Sequence, residues 1–173
     1  DGRSYCNQKV ELSLSGRFAG EQTKVFSCES YADCGPESAM GKTVKFNPLK
    51  ARYVRFYSSR SDVGAGSVQL TDVKVKGAPL SSRNLARACG EDFASPCPTL
   101  QSSTGWGGIA SRAVDGNTHS NWPSGSCTAT AGTTEAISWW RVDLESTQRI
   151  DAVRLYNRVD CCRERLGGFE IRV

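Results

Sequence analysis

Wherever this chain is apolar, it alternates. Val10-Leu12-Leu14, Trp140-Val142-Leu144 and Phe169-Ile171-Val173 are each interleaved with polar residues. A period of two places successive side chains on opposite faces, so these segments read as half-buried strands. Tyr53-Val54-Arg55-Phe56-Tyr57 and the run from Ile150 to Tyr156 add strands rich in β-branched and aromatic residues. In Ser67-Val68-Gln69-Leu70-Thr71-Asp72-Val73-Lys74-Val75 the apolar phase slips by one at Thr71-Asp72, which predicts a bulge there. No stretch of a dozen residues holds a helical period. Many short strands separated by Gly, Ser and Asn turns predict an all-β antiparallel sandwich or barrel. Gly77-Ala78-Pro79-Leu80-Ser81-Ser82 reads as a connector between two strand-rich halves, neither of which is an obvious complete sandwich by itself.

Composition narrows the setting. At 173 residues, with 38% hydrophobic and 23% charged, the chain suits one domain with a real core. It holds no apolar run near membrane-spanning length, so no membrane span is expected. Asp1-Gly2-Arg3-Ser4 lacks the basic-then-apolar pattern of a signal peptide, as a mature or trimmed secreted chain would. Eight cysteines against one methionine and one histidine favour disulfides in an oxidising, extracellular compartment over a zinc site. The net charge of +4 is modest and the arginines are scattered, so no nucleic-acid partner is expected.

The densest charge surrounds an unusual pair, Arg158-Val159-Asp160-Cys161-Cys162-Arg163-Glu164-Arg165. On a plain strand the two sulfurs would point to opposite faces and need separate partners. Bonded to each other, they would bridge neighbouring Cα atoms about 3.8 Å apart, less than the usual span of about 4.4–6.8 Å. Core staples within a solvated charge run are the plain alternative.

From Asn84-Leu85-Ala86 onward a series of motifs stands out: Gln101-Ser102-Ser103-Thr104, Ala113-Val114-Asp115-Gly116-Asn117, Gly125-Ser126-Cys127-Thr128, Trp139-Trp140-Arg141-Val142-Asp143-Leu144, Tyr156-Asn157-Arg158 through Arg165, and Gly168-Phe169-Glu170-Ile171-Arg172-Val173. This series resembles the F-type (fucolectin) lectin family, which implies a discoidin-like β-sandwich of jelly-roll topology. The opening half also fits, but out of order. Tyr5-Cys6, Thr23-Lys24-Val25-Phe26-Ser27-Cys28, Arg52-Tyr53-Val54-Arg55 and Gln69 to Val75 resemble the part of the family domain that follows Phe169 to Val173. The resemblance implies a single, circularly permuted domain over 1–173: residues 1–76 equivalent to the family's C-terminal half, 77–83 a connector, and 84–173 the N-terminal half with the sugar site. Adjacent termini make such a permutation tolerable. A chain cut from a tandem array at a shifted boundary would read the same way.

The resemblance assigns a fucose pocket to the R-x-D-x4-R pattern of Arg158, Asp160 and Arg165, with Cys161–Cys162 closed into a vicinal disulfide against the sugar's carbon face. The chemistry suits the residues. A guanidinium supplies several donors in fixed geometry for hydroxyls and a ring oxygen, and Asp160 can orient an arginine by charge-assisted bonds. Trp122, beside Pro123, and Trp106, in Gly105-Trp106-Gly107-Gly108, are further candidates for the sugar face. The family's pocket histidine is missing. Counting back from Arg158 lands on Ala131, and counting on from Cys127-Thr128 lands on Ala129. Losing one such contact costs about 1–3 kcal/mol, roughly ten- to a hundredfold in affinity. Thr130, Thr133, Thr134 and Glu135, in a loop longer than usual, are candidates to compensate.

The resemblance also implies a structural calcium held by Asp115, Asn117, Ser126 and Asp72, with the carbonyls of Arg112, His119 and Thr71. Taken alone, Asp115-Gly116-Asn117 reads as a plain turn, and His119 as an exposed loop residue. Cys6–Cys28 matches a family disulfide, and Cys89–Cys97 would close an insertion. Cys34 and Cys127 remain and are expected to pair, with free thiols as the alternative. Two functions follow as expectations. One is a secreted lectin for fucosylated glycans or glycoproteins in cell or gamete recognition or host defence, gaining avidity from tandem domains or a homo-oligomer. The other is a calcium-stabilised adhesion or structural module that has lost fucose. One histidine, no nucleophile elbow and no recognisable carboxylate pair argue against an enzyme.

Overall fold

The computed structural model describes residues 12–18, 20, 23–27, 40–58, 67–77, 83–131, 138–161 and 169–172. Among the described residues there are seven strands: β1 (Leu12–Ser13), β2 (Lys24–Ser27), β3 (Lys42–Ser58), β4 (Leu70–Gly77), β5 (Thr99–Gln101), β6 (Ser138–Asn157) and β7 (Phe169–Arg172). They run antiparallel in the order β2-β7-β3-β6-β4, with β1 added to β3 and β5 to β6. Among the described residues there is no α-helix, only short 3₁₀ turns at Leu85–Arg87, Ala110–Val114 and Trp122–Ser124.

Two strands are too long to be flat. Fully extended, the 20 residues of β6 would reach about 65 Å, whereas a compact chain of this size has a radius of gyration of about 16 Å. Both long strands therefore bend. In β6 the alternately buried run Ser138 to Leu144 gives way to an exposed stretch around Glu145–Arg149, where Glu145 has φ +60°, before burial resumes at Ile150. β3 breaks register with β6 between Lys45 and Leu49 and between Ala51 and Tyr53. Either side of the bend the strands belong to different layers of a β-sandwich. Ser138–Asp143 pairs with Tyr53–Ser58 and with β5, and Ile150–Asn157 pairs with Lys42–Leu49 and with β4.

One apolar cluster fills the space between the layers. Val54, Phe56, Trp140, Val142 and Leu144 come from one side, and Val44, Leu70, Val73, Val75, Ile150, Val153 and Leu155 from the other. Burying each such side chain stabilises the fold by about 1.5–3 kcal/mol. Trp140 carries a polar atom into this core, and its Nε1–H donates to the Ala110 carbonyl at 2.9 Å. Phe18, also buried, lies outside the cluster with the Arg55 guanidinium 3.9 Å from its ring centroid.

The alternation Trp140-Val142-Leu144 faces inward as expected, and a register shift between Leu70 and Asp72 makes Thr71 the extra residue of a bulge. Leu14 departs from expectation: the chain leaves β1 after Ser13, and Leu14 is exposed. Val10 and Val173 lie outside the described residues, as do 78–82 of the connector. Its flanks are joined directly, since Lys76 bridges Asn84, and the Asn84 Oδ1 accepts from Val75 N at 2.9 Å and Ala86 N at 3.1 Å. Cys89–Cys97 forms as expected. Cys6, Cys28 and Cys34 lie outside the described residues. Cys127 differs from the expected pairing with Cys34: it is a free thiol, fully enclosed where its segment is strapped between neighbours, and burial pushes that thiol up to about 12.

Across the halves, Arg52 Nε and Nη2 donate to the two Asp143 carboxylate oxygens at 2.7 and 2.9 Å. Burial pushes the Asp143 carboxyl up, but the Arg52 hydrogen bond and the Glu145 N–H outweigh it and hold the carboxyl below its ordinary value. A double-mutant cycle of Arg52→Met and Asp143→Asn is expected to give a coupling of about 0.5–1 kcal/mol in urea denaturation at pH 7. Because the folded-state value is depressed, the coupling should be full above the ordinary carboxylate range and fade as pH falls through the depressed value.

Candidate functional site

At one end of β4 three segments run side by side. Thr128 N donates to Leu70 O at 2.8 Å and Thr130 N to Val68 O at 3.0 Å. In return, Leu70 N and Val68 N donate to the hydroxyls of Thr128 and Thr130 at 3.2 and 2.8 Å. Thr130 is thus buried in backbone pairing and offers nothing to a ligand; Thr133, Thr134 and Glu135 lie outside the described residues. On the other side, Ala129 N donates to Gly108 O and Gly105 N to Ala129 O, at 2.9 and 2.8 Å. A Cβ on Gly108 would lie 2.4 Å from Ala129 N, so this approach requires glycine. Trp106 sits at the tip of the Gly105–Gly108 turn with φ +48° and 66% exposure, an arrangement that holds a large apolar side chain out in water.

Beyond the end of β6, Arg158 is fixed in place. Its Nε and Nη2 donate to the Asp160 carboxylate at 2.7 and 2.9 Å, and its Cζ lies 5.0 Å from the Trp122 ring centroid. Trp122 N donates to Asp160 Oδ1 at 3.2 Å and Val159 N to Ser120 O at 2.8 Å, tying this loop to the turn at 120–122. The Arg158 hydrogen bond holds the Asp160 carboxyl down to about 2. Cys161 is exposed and disulfide-bonded, to a cysteine outside the described residues. Cys162 and Arg165 lie outside them too. The fold therefore brings together Arg158, Asp160, Trp122 and Cys161, while Trp106 stands across the 127–131 segment from them. Ala129 is buried and Ala131 half-buried, and neither side chain carries a donor.

Gln69 was not foreseen. Val68 and Leu70 point into the core, so Gln69 faces the other way, and the pairings of Leu70 with Asn157 and with Thr128 place it between Arg158 and Ala129. It is 1% exposed, and among the described residues neither amide atom has a hydrogen-bond partner.

A second cluster lies under the Asp115-Gly116-Asn117 turn. The buried Ser126 hydroxyl lies 3.1 Å from Asp115 Oδ1, 2.7 Å from Asn117 O and 3.1 Å from Thr71 O. A hydroxyl has one proton to donate, so it can satisfy only one of these three oxygens at a time. Asp72, placed by the Thr71 bulge, is fully buried, and among the described residues neither of its carboxylate oxygens has a hydrogen-bond partner; Lys74 Nζ is 3.9 Å away. Burial pushes the Asp72 carboxyl up to about 6. Asn117 approaches through its carbonyl, because its Oδ1 accepts from His119 N at 3.0 Å. Arg112 O accepts from Asp115 N at 3.4 Å. Two carboxylates, a hydroxyl and backbone carbonyls form an oxygen set that suits a hard cation.

Comparison with known proteins gives this geometry a context. The profile of the NedA-like, galactose-binding domain family matches residues 112–173. Fucolectin from Anguilla anguilla is 50% identical over 64 residues, which are 37% of this chain and 39% of that protein. Over that stretch the chain is similar to fucolectins and to the NedA-like, galactose-binding domain family. Fucolectin-4 of Anguilla japonica is 50% identical over 64 residues, 37% of this chain and 34% of its own length. A pentraxin fusion protein of Xenopus laevis is 42% identical over 64 residues, 37% of this chain and 15% of its own length. The chain thus spans well under half of the curated relatives it matches. No solved structure matches it. The Arg158–Asp160 pair lies within the matched residues, and Asp72 and Gln69 come from outside them.

Asp160→Asn is expected to loosen Arg158 and to lower stability at pH 7 by up to about 1 kcal/mol in urea denaturation. With a folded-state value near 2, the wild-type advantage should be complete above the unfolded carboxylate value of about 3.9 and disappear as pH falls through about 2.

Proposed function

We propose that this chain is a secreted carbohydrate-binding protein that recognises fucose-type glycans, with Arg158 as its central donor. The observation that carries this reading is the fixed arginine: two of its five N–H groups are bonded to Asp160, and among the described residues the other three have no hydrogen-bond partner and can meet sugar hydroxyls in a set orientation. Trp122 adds aromatic surface beside it, suited to the methyl group that distinguishes fucose from galactose. A Cys161–Cys162 bridge would supply a further apolar surface, with Arg165 a second donor. The names of the fucolectins and the galactose-binding family support a sugar of this type. The chain acts by binding and has fucosylated glycoproteins as partners, gaining avidity from tandem or oligomeric presentation.

Calcium belongs to the same reading. The orphaned Asp72 carboxylate and the three oxygens converging on Ser126 fit a calcium ion, which would neutralise the buried charge and tie the bulge at Thr71 to the turn at Asp115. The permuted arrangement is part of the proposal, supported by the Lys76–Asn84 bridge across the connector.

A second reading rests on Ala129 and Ala131. With no donor at either place, the chain would be a calcium-bearing adhesion module whose ligand is another glycan or a protein. Calorimetric titration with L-fucose in excess calcium, with galactose as control, separates the two. The fucose reading expects saturable heat with L-fucose that Arg158→Met weakens at least tenfold. Absence of heat up to tens of millimolar would leave the adhesion module. Chelation of calcium is expected to lower the melting midpoint by several degrees, since a ligand at a hundred times its Kd contributes about 2.7 kcal/mol. An unchanged midpoint would remove calcium from the account.

A further inference from the structure

One cation close to the acidic cluster has no assigned role. Arg87 ends the 3₁₀ turn Leu85–Arg87, which Asn84 caps and ties to β4. Gly116, at φ +84°, is the middle residue of the Asp115-Gly116-Asn117 turn, and a Cβ built there would lie 1.5 Å from Arg87 Nη1 and 2.7 Å from its Cζ. The guanidinium therefore occupies the space that a side chain at 116 would fill, directly against the backbone of the turn. Gly116 is required twice over, by its φ and by this close approach. Among the described residues the Arg87 side chain makes no hydrogen bond or ion pair, so its charge is not spent on a partner of its own.

We propose that Arg87 is a built-in counter-charge to the calcium site, which supports the acidic cluster when calcium is absent and weakens calcium binding when it is present. This rests on the calcium reading above. A fixed positive charge against the Asp115-Gly116-Asn117 turn stabilises the metal-free form of the acidic cluster and repels a divalent ion entering the same space. The two effects are one coupling seen from both ends: what Arg87 contributes to the metal-free protein is subtracted from the affinity for the metal. A site of this kind would respond to calcium at extracellular levels, with affinity reduced from what its oxygens alone would give.

The test compares the full chain with Arg87→Met, which keeps an apolar stem and removes the charge, and Arg87→Lys, which keeps the charge. Calorimetric titration with calcium chloride should show Arg87→Met binding about five- to tenfold more tightly at low salt, with the gain shrinking as salt is added. In chelator the same variant should melt below the wild type, and in saturating calcium the two should melt together. Arg87→Lys should stay close to wild type in both measurements. If Arg87→Met fails to fold without metal, Arg87→Gln is titrated in its place. Unchanged or weaker calcium binding in the neutral variants, with wild-type binding intact, would overturn the role of Arg87 alone. Absence of calcium binding by the wild type would overturn the calcium reading and this inference with it.

Discussion

The pairing of β3 with β6 is the constraint on which everything else in this molecule rests. One strand comes from each half of the chain, and they stay antiparallel through a bend that carries both from one layer of the sandwich to the other. Their inward residues, Val54 and Phe56 opposite Trp140 and Val142, form the centre of the core, and β4, β5 and β7 are added to their free edges. The Arg52–Asp143 bond marks the same junction from outside. Exposed pairs of this kind contribute little stability, so it is the shared apolar burial that holds the halves as one body.

This pairing also positions the chemistry. The end of β6 delivers Arg158, and β4, its neighbour, delivers the Thr71 bulge and Asp72. The segment 127–130 then pairs with 68–70, which brings Ser126 onto the carbonyl of Thr71 and Ala129 beside Gln69. Arg158 and the oxygen cluster are therefore neighbours along one strand pair. Among the described residues, the Asp72 carboxylate and the Gln69 amide are buried at this end of the fold without a hydrogen bond, each a cost of about 1–3 kcal/mol, with Lys74 Nζ 3.9 Å from the carboxylate. Groups left unsatisfied within a well-packed structure are characteristic of places prepared for something to bind.

Much of this was legible in the residues. Trp140-Val142-Leu144 could be read because one face of that strand is buried and the other is not, and the bulge because an apolar phase cannot slip without an extra residue. Arg158 and Asp160 were legible as a pair two residues apart with matching geometry. Leu14 misled because periodicity does not report where a chain turns away from the sheet. The bends of β3 and β6 could not be read, since Glu145 takes a left-handed φ that nothing in its neighbours announces. Gln69 looked like the outward residue of an alternating strand. It is buried where 127–130 and the end of β6 pair on either side of its segment, and both pairings are remote in sequence. The free thiol of Cys127 is the alternative to the expected pairing with Cys34, and cysteine count and spacing do not choose between the two.

The central claim is that Arg158, held by Asp160 and Trp122, is where this protein meets a fucose-type sugar. The most direct measurement is a solution NMR titration of the isotope-labelled chain with L-fucose in calcium, following the Arg158 Nε–Hε signal and the Trp122 indole. The account predicts saturable shifts at these two groups and at the backbone of Val159 to Cys161, with the Arg52 side chain unaffected. Saturable shifts elsewhere on the surface, with the Arg158 and Trp122 signals unmoved, would contradict it.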